Sequence, residues 1–217
     1  MANHCFNSLQ LKADSETVKS ALAYLKGKDS DFDFNKIIPM PESIRATQRG
    51  SLSFASEAVC LYQNEGVINN HLKMMMAEAQ IDEKQLQEAI TDWLRRKRVD
   101  LGLGQQIIAN RKRYCNCGDW YEWSIKKWGT KWEAWDVTVA NDTVTFTTAW
   151  SPCSPVIEKI AGLFPKVQLV YQYFEPGAIL AGKEIYINGK CLKAETYEPE
   201  DPPYDEIARL FGFGSDN

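Results

Sequence analysis

Two β-hairpin patterns with a helix between them place the strongest constraint on the fold of this chain. Alternating apolar and polar residues flank Asn141-Asp142, and a second pair of such segments meets at Asn188-Gly189. Between the hairpins, Ser151-Pro152 or Ser154-Pro155 can begin a helix, because proline is favoured in the first helical turn. Residues 167–174 are the most β-like segment of the chain. This order of elements predicts an α+β layer.

The N-terminal forty residues predict a strand, a helix and a second strand. Residues 4–11 alternate in polarity, and Ser15 can cap a helix with one apolar face. Residues 31–38 alternate around Phe32 and Phe34, which is typical of a half-buried strand.

Helical periodicity dominates the middle of the chain. Asp82 is placed to cap a helix, with Gln85 at the third helical position as in a capping box. We therefore expect a helical insertion at about 66–113 within one α+β domain that spans residues 1–195. Residues 196–217 are expected to form a solvated acidic tail with one short helix.

Composition and charge exclude several functional classes. The 217 residues carry 25 basic and 29 acidic side chains, and the net charge of −4 excludes a uniformly basic nucleic-acid coat. No apolar run approaches the roughly 18 residues that a membrane span needs. The first residues show no signal-peptide pattern, and six cysteines are too few for a disulfide scaffold. We therefore expect reduced thiols and a cytoplasmic setting.

The most unusual feature is a tryptophan cluster. Six of the seven tryptophans lie within residues 120–150, interleaved with Lys126, Lys127 and Lys131. One interpretation is a stacking platform, in which nucleic-acid bases lie on the indoles and the lysines follow the phosphates. The other is that the indoles form the buried face of a helix and bridge it to the sheet. We favour burial.

A basic stretch overlaps this cluster. Residues 93–132 hold ten basic and three acidic side chains, a local net charge of +7, whereas residues 195–217 carry −6. The basic stretch therefore has three possible binding partners: a nucleic acid, an acidic protein or the acidic tail of the same chain. The candidate contact residues are Arg95, Arg96, Lys97, Arg98, Arg111, Arg113, Lys126, Lys127 and Lys131.

Metal and catalytic motifs give no support to an enzyme. The spacing of Cys115-Asn116-Cys117 is tighter than a zinc knuckle uses, so we expect no metal ion there. We also expect no cofactor, because the phosphate-binding and dinucleotide motifs are missing, and we assign no catalytic residue.

Two tryptophan motifs carry a family resemblance. Residues 128–132, Trp-Gly-Thr-Lys-Trp, and residues 148–152, Thr-Ala-Trp-Ser-Pro, resemble the YubB-like family of phage- and plasmid-encoded proteins. The resemblance implies a ferredoxin-like, antiparallel-rich sheet with helices on one face, but no reaction, because the family is uncharacterised. We expect the motif residues to be structural, with all three indoles in the core: Trp128, Gly129, Thr130, Trp132 and Trp150.

The sequence thus favours a non-enzymatic accessory protein of a phage or plasmid. It would bind a host protein or nucleoprotein complex in the bacterial cytoplasm, with counter-defence as one form of this role. The first alternative is a nucleic-acid-binding protein that uses residues 93–132. The second is an enzyme that acts on a small substrate in a cleft under the helical insertion.

Overall fold

The chain folds into six strands and ten helices within residues 3–48, 53–96 and 99–213, which are the residues that the computed structural model describes. In chain order the elements are β1 (His4–Lys12), α1 (Ser15–Leu25), α2 (Phe34–Ile37), α3 (Glu42–Arg45), α4 (Ser53–Glu65), α5 (Asn70–Ala79), α6 (Glu83–Arg95), α7 (Leu101–Arg113), α8 (Trp120–Trp128), β2 (Trp135–Ala140), β3 (Thr143–Ala149), α9 (Ser154–Leu163), β4 (Gln168–Glu175), β5 (Leu180–Ile187), β6 (Lys190–Tyr197) and α10 (Pro202–Leu210).

These elements belong to two compact units. The sheet unit comprises residues 1–39 and 124–217, and the helical unit comprises residues 40–123, so the boundary falls within α8. None of the helices in the described ranges combines the length and the apolar character of a transmembrane segment.

The sheet unit has ferredoxin-like topology. Its strands lie in the order β2-β3-β1-β4-β5-β6, and every neighbouring pair is antiparallel. The chain path β1-α1-β2-β3-α9-β4 is the βαββαβ repeat of that fold, with β5 and β6 added at one edge. The predicted α+β class and ferredoxin-like sheet are confirmed.

Local turn chemistry explains both hairpins of the sheet. Asn188 and Gly189 both have positive φ, 54° and 76°, as a two-residue turn of type I′ requires. Asn141, at the tip of the first hairpin, also has positive φ, 54°. The two predicted hairpins are confirmed.

The predicted strand at residues 31–38 is wrong, because Asp33 caps a short helix there. Its side chain accepts a hydrogen bond from the backbone N–H of Lys36 at 3.1 Å, which begins α2. Phe32 and Phe34 are both fully buried and pack on Phe146 of β3. Their alternation therefore reflects two core contacts rather than strand pleating.

Helices cover both faces of the sheet. On one face, Phe146 packs against α2, and Tyr171 of β4 bonds to the first turn of α9. On the other face, α10 packs against Phe174 and Ala181 through Ile207 and other apolar residues. The prediction placed the helices on one face only, whereas the C-terminal helix buries the second.

A polar network is enclosed in the core between the sheet and α9. The Tyr171 hydroxyl donates to Asn7 Oδ1 at 2.6 Å and accepts from the Cys153 N–H at 3.0 Å. The Asn7 amide donates to Thr148 Oγ1 at 2.9 Å and to the Cys5 carbonyl at 2.7 Å. Burial raises the pKa of the Tyr171 hydroxyl and of the Cys153 thiol, so both stay neutral. The network fixes β1, β4 and α9 in one arrangement.

The helical unit is longer than the predicted insertion at 66–113, because helix formation begins before that range. Helix α4 packs against α7, and the apolar core includes Leu72, Leu86 and Ile90. Asp82 Oδ1 accepts from the Gln85 N–H at 3.0 Å, and Gln85 Oε1 accepts from the Asp82 N–H at 2.9 Å. The predicted capping box is confirmed.

Candidate binding surface

The first tryptophan motif begins in the core and ends at the surface. Trp128 closes α8 with only 3% of its area exposed, and its indole N–H donates to the Ile38 carbonyl at 3.0 Å. Trp132, four residues later, is 43% exposed, and Trp150 of the second motif is 40% exposed. The expectation that all three indoles are core is thereby corrected: Trp128 is buried, whereas Trp132 and Trp150 face solvent.

The loop between these tryptophans is fastened to the second motif. Gly129 has φ of +82°, and a Cβ at this position would lie 2.8 Å from Pro155 Cδ, so the turn requires glycine. The Ser151 hydroxyl donates to the Gly129 carbonyl at 2.7 Å. Thr130 is fully buried, and its hydroxyl donates to the Ala149 carbonyl at 2.9 Å and accepts from the Ala149 N–H at 3.1 Å. Gly129 and Thr130 are therefore structural residues.

The exposed rings form a compact aromatic patch around a lysine. The Trp132 and Trp150 rings are nearly parallel, with an interplanar angle of 26° and centroids 6.3 Å apart. The Lys131 ammonium lies 4.5 Å from the Trp132 centroid and 4.9 Å from the Trp150 centroid. Trp135 meets Trp132 edge-on at 6.4 Å, and His4 meets Trp135 at 5.5 Å. We call these five residues the tryptophan surface.

Two residues with positive φ lie in the backbone that positions the rings of the tryptophan surface. Trp150 has φ of +65°, a conformation that a bulky side chain rarely adopts, and its N–H donates to the Asn3 carbonyl at 3.0 Å. Asp136 has φ of +51° at a register shift between Trp135 and Thr138, where β2 bulges against β3. Strained backbone of this kind clusters at functional sites.

A groove lies beside the same loop in the sheet unit. It measures about 590 Å³, and its lining includes Lys126, Lys127 and Lys159. Ile38, Pro155 and Leu163 contribute its apolar lining, and the rest comes from Glu158, Gly162 and Gly189. Sequence reasoning found Lys126 and Lys127 but missed Lys159 and Gly162, because α8 and α9 meet only in the folded chain. We call this feature the lysine groove.

Arg111 has a structural role in the helical unit. Its Nε donates to Glu57 Oε1 at 2.5 Å, and its Nη2 donates to Glu57 Oε2 at 3.0 Å and to Glu122 Oε1 at 2.7 Å. Burial lowers the pKa of Arg111, but hydrogen bonds and charge from the two carboxylates outweigh it and raise the pKa. These hydrogen bonds join Arg111 to two carboxylates of the helical unit, and its contact with a ligand stays a prediction.

The other predicted basic contacts divide between the two units. In the helical unit, Arg95 and Arg96 pair with Asp92 at 3.9 and 2.7 Å, and Arg113 lies over the Tyr114 ring at 5.4 Å. In the sheet unit lie Lys126, Lys127 and Lys131. The predicted contacts at positions 97 and 98 lie outside the described residues.

The cysteines of the chain are free thiols. Cys115 is exposed and Cys117 is buried. Within the described ranges, no group of three or more His, Cys, Asp or Glu side chains could hold a metal ion. The absence of metal at Cys115 stays a prediction.

The sheet unit is similar to a known domain. Residues 127–206 match the family model described as a ferredoxin-like domain in Api92-like protein, and they therefore resemble that domain. The matched segment contains all three indoles of the tryptophan surface, together with Lys127 and Lys159 of the lysine groove.

Most of the chain also aligns with a solved structure. The structure is the crystal structure of a protein api92 from Yersinia pseudotuberculosis, which is 11% identical and aligns over 93% of this chain and 100% of its own, with a TM-score of 0.45. No curated protein matches the sequence.

Proposed function

We propose that this protein is a non-enzymatic binding protein that engages a host protein or nucleoprotein complex through the tryptophan surface. The observation that carries the proposal is the exposure of two tryptophan side chains, Trp132 at 43% and Trp150 at 40%. Burial of large apolar rings by a partner stabilises the complex. Tryptophan is among the residues that contribute most to binding energy at protein interfaces.

Lys131 defines the chemistry of the partner. Its ammonium lies 4.5 and 4.9 Å from the centroids of the two exposed rings, so a cation already lies over one face of each ring. A second cation would meet repulsion there, whereas a carboxylate or phosphate would meet a positioned positive charge. The proposed partner therefore offers an apolar contact beside an acidic group.

The setting of this activity rests on the motif resemblance. The motifs at residues 128–132 and 148–152 resemble those of phage- and plasmid-encoded proteins, whose accessory proteins often bind host machinery, including defence systems. We therefore place the interaction in the cytoplasm of a bacterial host, with counter-defence as one form of it.

A capture experiment with matched variants tests the proposal. Tagged wild-type protein, the double variant Trp132→Ala with Trp150→Ala, and the control Leu192→Ala are incubated with host lysate and cross-linked. Leu192 is a suitable control because it is 70% exposed and lies on β6 of the same sheet. We expect a protein captured by the wild type and the control but lost from the double variant. Equal capture by all three folded proteins would contradict the proposal.

The second candidate function is binding of single-stranded nucleic acid, and the observation that favours it is the pairing of exposed indoles with Lys131. Bases stack on indole faces while lysines contact phosphates. Fluorescence anisotropy with a labelled single strand, titrated with salt, distinguishes the two functions, since phosphate contacts make binding fall steeply with salt. Salt-sensitive binding that the double variant lacks would favour nucleic acid. The enzyme alternative stays a prediction.

A further inference from the structure

Gly162 occupies a helical position that the fold alone does not explain. It is exposed within α9. Glycine inside a helix lowers the stability of the protein by roughly 0.5–1 kcal/mol relative to alanine. Its φ is not positive, and a Cβ added to it would meet no atom within 4 Å. Neither a turn nor a packing contact requires glycine here. A ligand that approaches the helix backbone closely would.

The space above Gly162 is the lysine groove, whose charge is strongly positive. Three lysines line it, Lys126 and Lys127 of α8 and Lys159 of α9, together with one acidic residue, Glu158. Neither Lys127 nor Lys159 forms an ion pair with a described residue. Three lysines and one glutamate give the lining a net charge of +2, which favours a ligand with more than one negative charge.

Apolar residues in the groove indicate that the ligand is more than a bare anion. Ile38, Pro155 and Leu163 give the lining an apolar component beside the lysines. The volume of about 590 Å³ falls within the range of roughly 300–1,000 Å³ for small-molecule sites. A planar base can cover apolar lining and the Gly162 backbone while its phosphates meet the ammoniums.

We propose that the lysine groove binds a nucleoside di- or triphosphate. Its phosphates contact Lys127 and Lys159, and its base packs on Pro155 and on the α9 backbone at Gly162. The Glu158 carboxylate, at the same site, can accept a hydrogen bond from an amino or hydroxyl group of the nucleoside. This site is separate from the tryptophan surface, and it stands or falls independently of the proposed function.

Calorimetric titration of the full-length protein with ATP, GTP and inorganic triphosphate tests the proposal. We expect Lys127→Glu and Lys159→Glu each to weaken ATP or GTP binding at least about tenfold. The matched charge control is Lys183→Glu, which lies in a cavity beside α10 and should change affinity less than about twofold. Gly162→Leu fills the groove without changing the charge and should also weaken binding at least about tenfold.

Several outcomes would overturn the proposal. These are no binding of either nucleotide, an equal loss in the Lys183→Glu control, unchanged affinity in Gly162→Leu, or inorganic triphosphate binding as tightly as ATP. A single-stranded oligonucleotide that binds more tightly than ATP, with the same dependence on Lys127 and Lys159, would assign the groove to nucleic acid instead. Trp132→Ala should leave nucleotide affinity unchanged, which separates this site from the tryptophan surface.

Discussion

Replacing Trp128 and Trp132 by alanine, one at a time, measures how differently the two ends of one motif contribute to stability. Trp128 is 3% exposed, so its removal leaves an internal cavity and strands the Ile38 carbonyl that its indole N–H reaches at 3.0 Å. Tryptophan-to-alanine changes at buried sites cost about 3–5 kcal/mol. We expect Trp128→Ala to fall within that range, because the cavity is internal and the Ile38 carbonyl also loses its donor.

Trp132 should cost much less, because its ring lies on an open surface where truncation leaves no closed cavity. Its neighbours are Trp150 at 6.3 Å, Trp135 at 6.4 Å and the Lys131 ammonium at 4.5 Å. Aromatic pairs contribute about 0.5–1.5 kcal/mol each and an exposed cation–π contact about 0.5–1 kcal/mol. Since the pairs are loosely spaced, we expect a total loss of about 1–2 kcal/mol.

Urea unfolding monitored by circular dichroism, with thermal unfolding alongside, compares the two variants with the wild type. For a chain of this size, each kcal/mol corresponds to about 2–4 °C in Tm. Trp128→Ala should lose at least about twice the stability that Trp132→Ala loses. Equal losses, or a larger loss at Trp132, would show that Trp132 belongs to the core and would remove the tryptophan surface as a binding site.

Four further changes test other parts of the structure. Arg111→Met should cost about 2–4 kcal/mol in urea unfolding, because it leaves Glu57, 8% exposed, without its cation, and adding Glu57→Gln should restore part of that loss. Tyr171→Phe should cost about 2–4 kcal/mol, since both buried partners of the hydroxyl, Asn7 Oδ1 and the Cys153 N–H, lose this hydrogen bond. Gly162→Ala should raise stability by about 0.5–1 kcal/mol in the same assay. Burial raises the pKa of the Cys5 thiol from 9.0 to about 12, so its contribution to stability is fully present below 9.0 and stability should fall as pH rises from there toward 12. A stability that stays level through that pH window would contradict the burial of Cys5.

The elements that could be predicted from the sequence are those fixed by a few neighbouring residues. Asn188-Gly189 supplies two residues that tolerate positive φ, which a two-residue hairpin needs. Asp82 and Gln85 satisfy each other's backbone N–H groups within one helical turn. In each case the chemistry is local, so the pattern alone determines the structure.

The sequence predictions that were wrong concern segments whose structure depends on contacts between residues distant in sequence. Residues 31–38 alternate like a strand, yet Phe32 and Phe34 are held by Phe146 more than a hundred residues later. The exposure of Trp150 depends on a left-handed backbone that its own sequence context does not indicate. The lysine groove needs Lys159 of α9 beside α8, and the spacing of basic residues along the chain cannot reveal that meeting.

The tryptophan surface and the lysine groove share a support in the packing of Gly129 on Pro155. A Cβ on Gly129 would lie 2.8 Å from Pro155 Cδ, and Pro155 also lines the groove. The loop that carries Lys131 and Trp132 therefore depends on the residue that gives the groove part of its apolar lining. A substitution at Gly129 would disturb the tryptophan surface and the lysine groove together, so its effect could not be assigned to either one. Only substitutions at the far side of each, Trp132→Ala on the surface and Lys159→Glu in the groove, can show whether the two act independently.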